Sequence, residues 1–329
     1  MNLSKKVFEV DQVLKGVIPI GDDQCRFDYK QLEHAIKDVV RKKLDDENAR
    51  MADGAENVPT FVVATKGLHA DGPPTLFRSY QCQGHSPSEC AIWEAGRATS
   101  AVPTFFKPIK IEIPRPGTRF VDGGHMHNNP AELALSEAQR IWTSVKRFCI
   151  VSVGTGRLKC VRVVDVQSVG SKESDTDISK VRWWIPGAQT TTRIPSTALK
   201  KIAEDCVKLT TNSEPVHQRL LKLALSADPG KKFPYHRFNV ERDMQDIGLQ
   251  EWDKMEEMAA HTAAYMEEGE GEWKRNKCVE DLINPPAAER TKPGYVVILL
   301  RNQGLRKRKP YQIPILTNIQ ILLPRLSLD

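Results

Sequence analysis

No stretch of this 329-residue sequence is apolar over the roughly 20 residues that a membrane-crossing helix needs; the longest strongly apolar run is Tyr295–Leu300. The seven cysteines (25, 82, 90, 149, 160, 206 and 278) are odd in number and contain no Cys-x-x-Cys pair. Neither a disulfide framework nor a zinc-ligand spacing is therefore encoded, and reduced intracellular thiols are the default reading. The opening MNLSKKVFEV is too polar to read as a signal peptide. A soluble, cytoplasmic chain is expected, touching membranes only peripherally. There is no internal repeat. With 40% hydrophobic and 27% charged residues, 20 Gly and 21 Pro, the composition is that of a globular protein and excludes disorder and collagen.

What is present is unevenly charged. Between Pro285 and Asp329 lie eight basic residues and two acidic ones, so the whole net charge of +6 resides there and the first 284 residues are neutral by count. This stretch, with Arg306-Lys-Arg-Lys309 at its centre, reads as a basic, poorly ordered tail after a domain of residues 1–284, despite the β-prone runs Tyr295–Leu300 and Ile313–Leu323. A four-residue basic run with no amphipathic helix around it supports neither nucleic-acid binding nor membrane docking.

Ahead of the tail, strands and helices alternate. Asp28 is a suitable N-cap for a helix with Leu32, Ala35, Ile36, Val39 and Val40 on one face. A polar loop over 45–59 leads into the strand Thr60–Thr65, with Leu76–Tyr80 as its neighbour. Ser86-Pro87-Ser88-Glu89 has capping-box spacing and predicts a helix through about Thr99. Ile109–Ile113, Arg119–Val121 and Arg147–Val153 read as strands, and a helix opens at Pro130 with Asn129 as its cap. Beyond a Ser/Asp-rich loop at 165–180, helices are expected near 197–210, 215–227 and 249–267, with a strand at 235–240. The pattern is that of a layered α/β domain.

The strongest local chemical signal is Val121-Asp122-Gly123-Gly124 at a strand end. A carboxylate at the edge of an α/β sheet stands where ligands bind in such folds, and two glycines let the backbone turn sharply beside it. It can accept a proton from a nucleophile; the same spacing also suits a plain strand-to-turn junction. His125 and His127 beside it lack a second ligand pair and read as polar loop residues in preference to a metal site. Gly154-Thr155-Gly156 reads as a structural turn, being neither a P-loop nor G-x-G-x-x-G. Arg97 is read as binding a carboxylate or capping backbone carbonyls, and Trp183 and Trp184 as a cleft mouth or a wall of the second layer.

Several spaced motifs together, Ala95-Gly-Arg-Ala-Thr-Ser-Ala-Val-Pro-Thr-Phe-Phe106, Phe120-Val-Asp-Gly-Gly124, Asn128-Asn-Pro130 and Ser152-Val-Gly-Thr-Gly156, resemble the patatin-like phospholipase family, and the segment from Trp183-Trp184 to Thr192 resembles its fungal branch. The resemblance runs over about residues 5 to 284. It implies a three-layer α/β/α fold and a lipid acyl ester hydrolase, without cofactor or metal, acting in lipid degradation through a Ser-Asp dyad. Asp122 matches the dyad's acid, with Gly123 and Gly124 supporting the turn. The family's serine lies in a G-x-S-x-G elbow, and no serine of this sequence does: Ser152 has Ile150 two positions before it and Ser168 has Val166.

On this reading the sequence begins after the elbow and the oxyanion loop, so the fold is expected to be incomplete at the N-terminus. The strands near Phe61 and Ile150 are expected to lack a pairing neighbour. The alternatives are a catalytically inactive lipid-binding or regulatory module, and a gene-model fragment.

Overall fold

A computed structural model describes residues 3–8, 25, 27–54, 58–67, 72–103, 105–112, 117–145, 147–156, 178–182, 191–195, 212–226, 233–240, 244, 247, 251–283, 295–301 and 319–324. Its strands are β1 (Thr60–Lys66), β2 (Thr75–Arg78), β3 (Ile109–Ile111), β4 (Thr118–Asp122), β5 (Arg147–Val153), β6 (Ile178–Arg182), β7 (Thr191–Pro195), β8 (Tyr235–Phe238), β9 (Tyr295–Arg301) and β10 (Ile319–Pro324). Its helices are α1 (Leu3–Phe8), α2 (Tyr29–Leu44), α3 (Ile92–Thr99), α4 (Gly124–His127), α5 (Ala131–Ile141), α6 (Glu214–Ala224), α7 (Met255–Glu267) and α8 (Gly269–Ile283).

Eight strands form one mixed sheet, ordered β3-β4-β1-β10-β9-β5-β8 with β2 also paired to β1. Alternation along the strands sorts its two faces. Phe61 and Val63 of β1 and Phe148 and Ile150 of β5 pack with Ala131, Ala134 and Ala138 of α5 and Leu220 of α6. From the other face, Val62 and Ala64 meet Ala95 and Ala98 of α3, while Cys149 and Val151 meet Cys278 of α8. Helices therefore cover both faces, giving the three-layer α/β/α arrangement. Behind α3, helix α2 buries Leu32, Ala35, Ile36 and Val40 against α1 and Phe106. The hairpin β6–β7 belongs to a separate compact unit, residues 158–212.

Two segments of the basic tail, β9 and β10, are strands of the sheet. Within it, β9 pairs in parallel with all seven residues of β5, and β10 pairs with β9 over six residues and with β1 at Thr60 and Phe61. The expected bare edges near Phe61 and Ile150 are thus both paired, with β10 and β9. Residue 284 is accordingly not the end of the sheet. Arg306–Lys309, Trp183, Trp184 and the expected helix at 197–210 lie outside the described residues.

One start signal also acts differently from its spacing. Helix α3 begins at Ile92, three residues past Glu89, with the Glu94 carboxylate accepting from Ala91 N–H at 2.8 Å. Ser88 instead pairs with β2, its Oγ accepting from Arg78 N–H at 2.9 Å, and Glu89 takes an ion pair from Arg50 at 3.1 Å. At α2 the Asp28 cap is present, accepting from Lys30 N–H at 2.9 Å.

Candidate functional site

Asp122 is the last residue of β4 and lies opposite Ala64 of β1. Its side chain is buried, at 6% exposure. Its backbone N–H donates to Ala101 C=O at 3.0 Å, and its Oδ1 accepts from Gly124 N–H at 2.7 Å, the amide that opens α4. Burial pushes the carboxyl up to about 7, with the Gly124 hydrogen bond acting weakly in the opposite direction. A carboxyl held near neutrality, with a single amide donor on it, is suited to take up and return a proton at physiological pH.

The turn after Asp122 explains its glycines. A Cβ on Gly123 would come within 2.5 Å of the Val63 carbonyl oxygen, and one on Gly124 within 3.2 Å of Asp122 Oδ1. Gly123 must be glycine because β1 is too close for any side chain. Its carbonyl then accepts from His127 N–H at 2.8 Å, closing the single turn of α4. Burial holds His127 below the usual histidine range. Among the described residues, no group of three or more His, Cys, Asp or Glu side chains could hold a metal ion.

Ser152 does not join Asp122. It lies on β5, which pairs with β8 and β9, whereas Asp122 lies on β4, which pairs with β1 and β3. Its Oγ is fully buried and accepts from Arg237 Nη1 at 2.7 Å, while Arg237 Nη2 donates to Ser213 Oγ at 3.1 Å. The glycine turn beyond it is likewise occupied internally, Gly154 N–H donating to Phe238 C=O at 2.7 Å and Gly156 N–H to Asn239 Oδ1 at 2.9 Å. These amides are committed to the fold, as a structural turn requires.

Arg97 serves both of its expected roles. Fully buried, it donates from Nη2 to Lys107 C=O and places Nε 3.6 Å from Glu33 Oε1, so that it joins α3 to α2 and to the 105–107 segment. Asn129 Oδ1 accepts from Ala131 N–H at 3.3 Å, capping α5. Sequence reasoning missed Thr99 and Ala101, whose contacts with β1 and β4 flank Asp122. Their signal was the interruption of an Ala-rich helix by Thr-Ser just before a proline.

Residues 23–135 match the model for patatin-like phospholipases. This part of the chain is similar to patatin-like phospholipases. The chain is 29% identical over 164 residues to human calcium-independent phospholipase A2-gamma, a match covering 47% of this chain and 20% of that protein. It is 37% identical over 162 residues to Phospholipase A I of Arabidopsis thaliana, covering 38% of this chain and 12% of the relative. Patatin-like protein 2 of the same plant is 27% identical over 151 residues, covering 41% of this chain and 36% of its own length. The chain thus spans from about an eighth to about a third of these relatives' lengths. The family match includes Asp122-Gly123-Gly124 and ends within α5.

Proposed function

We propose that Asp122 is the proton-accepting half of a Ser-Asp dyad in a fungal-type lipid acyl hydrolase that degrades lipid esters at a membrane surface from the cytoplasmic side. The observation that carries the reading is a buried carboxyl at the strand end, next to a glycine that leaves no room for a side chain. The ionised carboxylate takes the proton of a serine hydroxyl as the oxygen attacks the ester carbonyl. The tetrahedral intermediate collapses, the alcohol leaves with the proton returned from Asp122, and an acyl-serine remains. Water, deprotonated in turn by Asp122, then releases the fatty acid and regenerates the serine. Neither a cofactor nor a metal enters these steps.

The serine must stand in a G-x-S-x-G elbow, which no serine of this sequence occupies. The chain alone is therefore expected to leave a p-nitrophenyl acyl ester unhydrolysed and a fluorophosphonate probe unreacted. In a chimera in which residues 23–135 replace the matching part of calcium-independent phospholipase A2-gamma, ester hydrolysis should return. Asp122→Asn should then lower it by about 10²-fold or more, and a chimera indifferent to that substitution would contradict the role. The missing elbow favours a second reading, a lipid-binding module without catalysis; flotation of the intact chain with phosphatidylcholine vesicles, together with an inactive chimera, is its signature.

A further inference from the structure

The edge of β1 that faces Asp122 is shared by two strands. Ala64 pairs with both β2 and β4, and Phe61 pairs with both β2 and β10, so β4 and β10 lie on the same side of β1, opposite β2. β10 covers that edge at Thr60 and Phe61, and β4 covers it from Ala64 to Lys66. Between them, among the described pairings, Val62 and Val63 have no strand opposite on this side. The Val63 carbonyl points into the interval, since it is the group that a Cβ on Gly123 would strike at 2.5 Å.

A helix end fills the interval. Thr99, the fully buried last residue of α3, donates from Oγ1 to the Val63 carbonyl at 2.6 Å. Two residues on, the Ala101 carbonyl accepts the Asp122 N–H at 3.0 Å. The same short segment therefore holds β1 through a side chain and β4 through its backbone, on either side of the Asp122-Gly123 step. Arg97, two residues before Thr99, keeps α3 in place through Lys107 C=O and Glu33.

We propose that Thr99 is a positioning residue for Asp122: its hydroxyl replaces the missing ladder partner of Val63, holds Gly123 against β1, and so keeps the Asp122 carboxyl out of water and on the Gly124 amide. The proposal deepens the reading of Asp122 as a base and rests on it. It assigns Thr99 no contact with substrate. Without the hydroxyl, the Val63 carbonyl has to recruit water, and the water that enters reaches the carboxyl beside it.

The test follows the Asp122 carboxyl by ¹³C NMR titration and the Gly124 amide by hydrogen exchange, both in the full chain. Thr99→Ser, which retains the hydroxyl, should leave both as in the wild type. Thr99→Val should lower the carboxyl midpoint by about one unit or more and speed Gly124 exchange about tenfold or more. Thr99→Ala carries the same expectation and serves if the valine variant does not fold. Glu137→Gln, which perturbs a buried network on α5, should move neither signal. Unchanged titration and exchange in Thr99→Val or Thr99→Ala would overturn the proposal, as would an equal change in Thr99→Ser. A wild-type midpoint in the ordinary carboxylate range would count against Asp122 as a base instead, and the exchange rates would still decide the role of Thr99.

Discussion

A carboxyl pushed up to about 7 by burial gives Asp122 a defined signature in stability. The unfolded group titrates near 3.9, so the folded protein binds this proton more tightly. Its contribution to stability is therefore complete below about pH 4 and is lost as pH rises through about 7. An asparagine stays neutral throughout. Asp122→Asn should gain on the wild type between pH 4 and pH 8, by up to about 4 kcal/mol, measured by urea denaturation at the two values. Equal differences at both would mean that the carboxyl is not desolvated. The base must be ionised to act, so any hydrolysis supported by this site should rise with pH through the same range. The place of Asp122 at a strand end was legible from Asp-Gly-Gly, whereas its burial was not, because the segments packed beside it, β1 and the end of α3, are distant in sequence.

Helix α5 shows a different use of a buried charge. Glu137, 1% exposed, accepts from Arg78 of β2 through Nε at 2.5 Å and Nη2 at 3.1 Å, and from Tyr80 Oη at 2.8 Å. Arg140, one turn on, adds a bond at 2.9 Å. Burial works to raise this carboxyl, but the Arg78 and Tyr80 hydrogen bonds and the charges of Arg78 and Arg140 outweigh it and hold it below the usual range. The network pins α5, and with it the segment after Asp122, to β2. Glu137→Ala leaves the Arg78 guanidinium without its counter-charge and should cost about 3–5 kcal/mol in chemical denaturation. A loss under about 1 kcal/mol would show a solvated pair. The amphipathic helix α2 was readable from its periodicity, and α5 from the start signal at Asn129-Pro130. The start of α3 was not, because Ser88 and Glu89 serve β2 and Arg50 in place of a helix terminus, and spacing cannot show which backbone a polar side chain will find. The four-residue α4 carries no periodicity at all; it is dictated by the squeeze of Gly123 against Val63.

At the scale of the molecule, two segments of the tail join the sheet. Its charge suggested a segment outside the domain, while its apolar runs Val296–Leu300 and Ile319–Leu323 close the sheet between β1 and β5. The local β-propensity was visible, but only the topology shows where an edge is waiting. Thr60 and Ile321 are directly opposed in the register of the β1–β10 seam. Thr60→Cys with Ile321→Cys should therefore cross-link on mild oxidation, detected as a joined peptide by mass spectrometry; failure to cross-link in the folded chain would exclude this pairing. Among the described residues no helix is long and apolar enough to cross a membrane.

Everything functional in this account depends on a single proton-binding carboxyl at the sheet edge. Titrating the Asp122 side chain by ¹³C NMR in the intact chain tests that dependence directly. The expected midpoint is about 7; a midpoint near 4, where an exposed aspartate titrates, would contradict the role of Asp122.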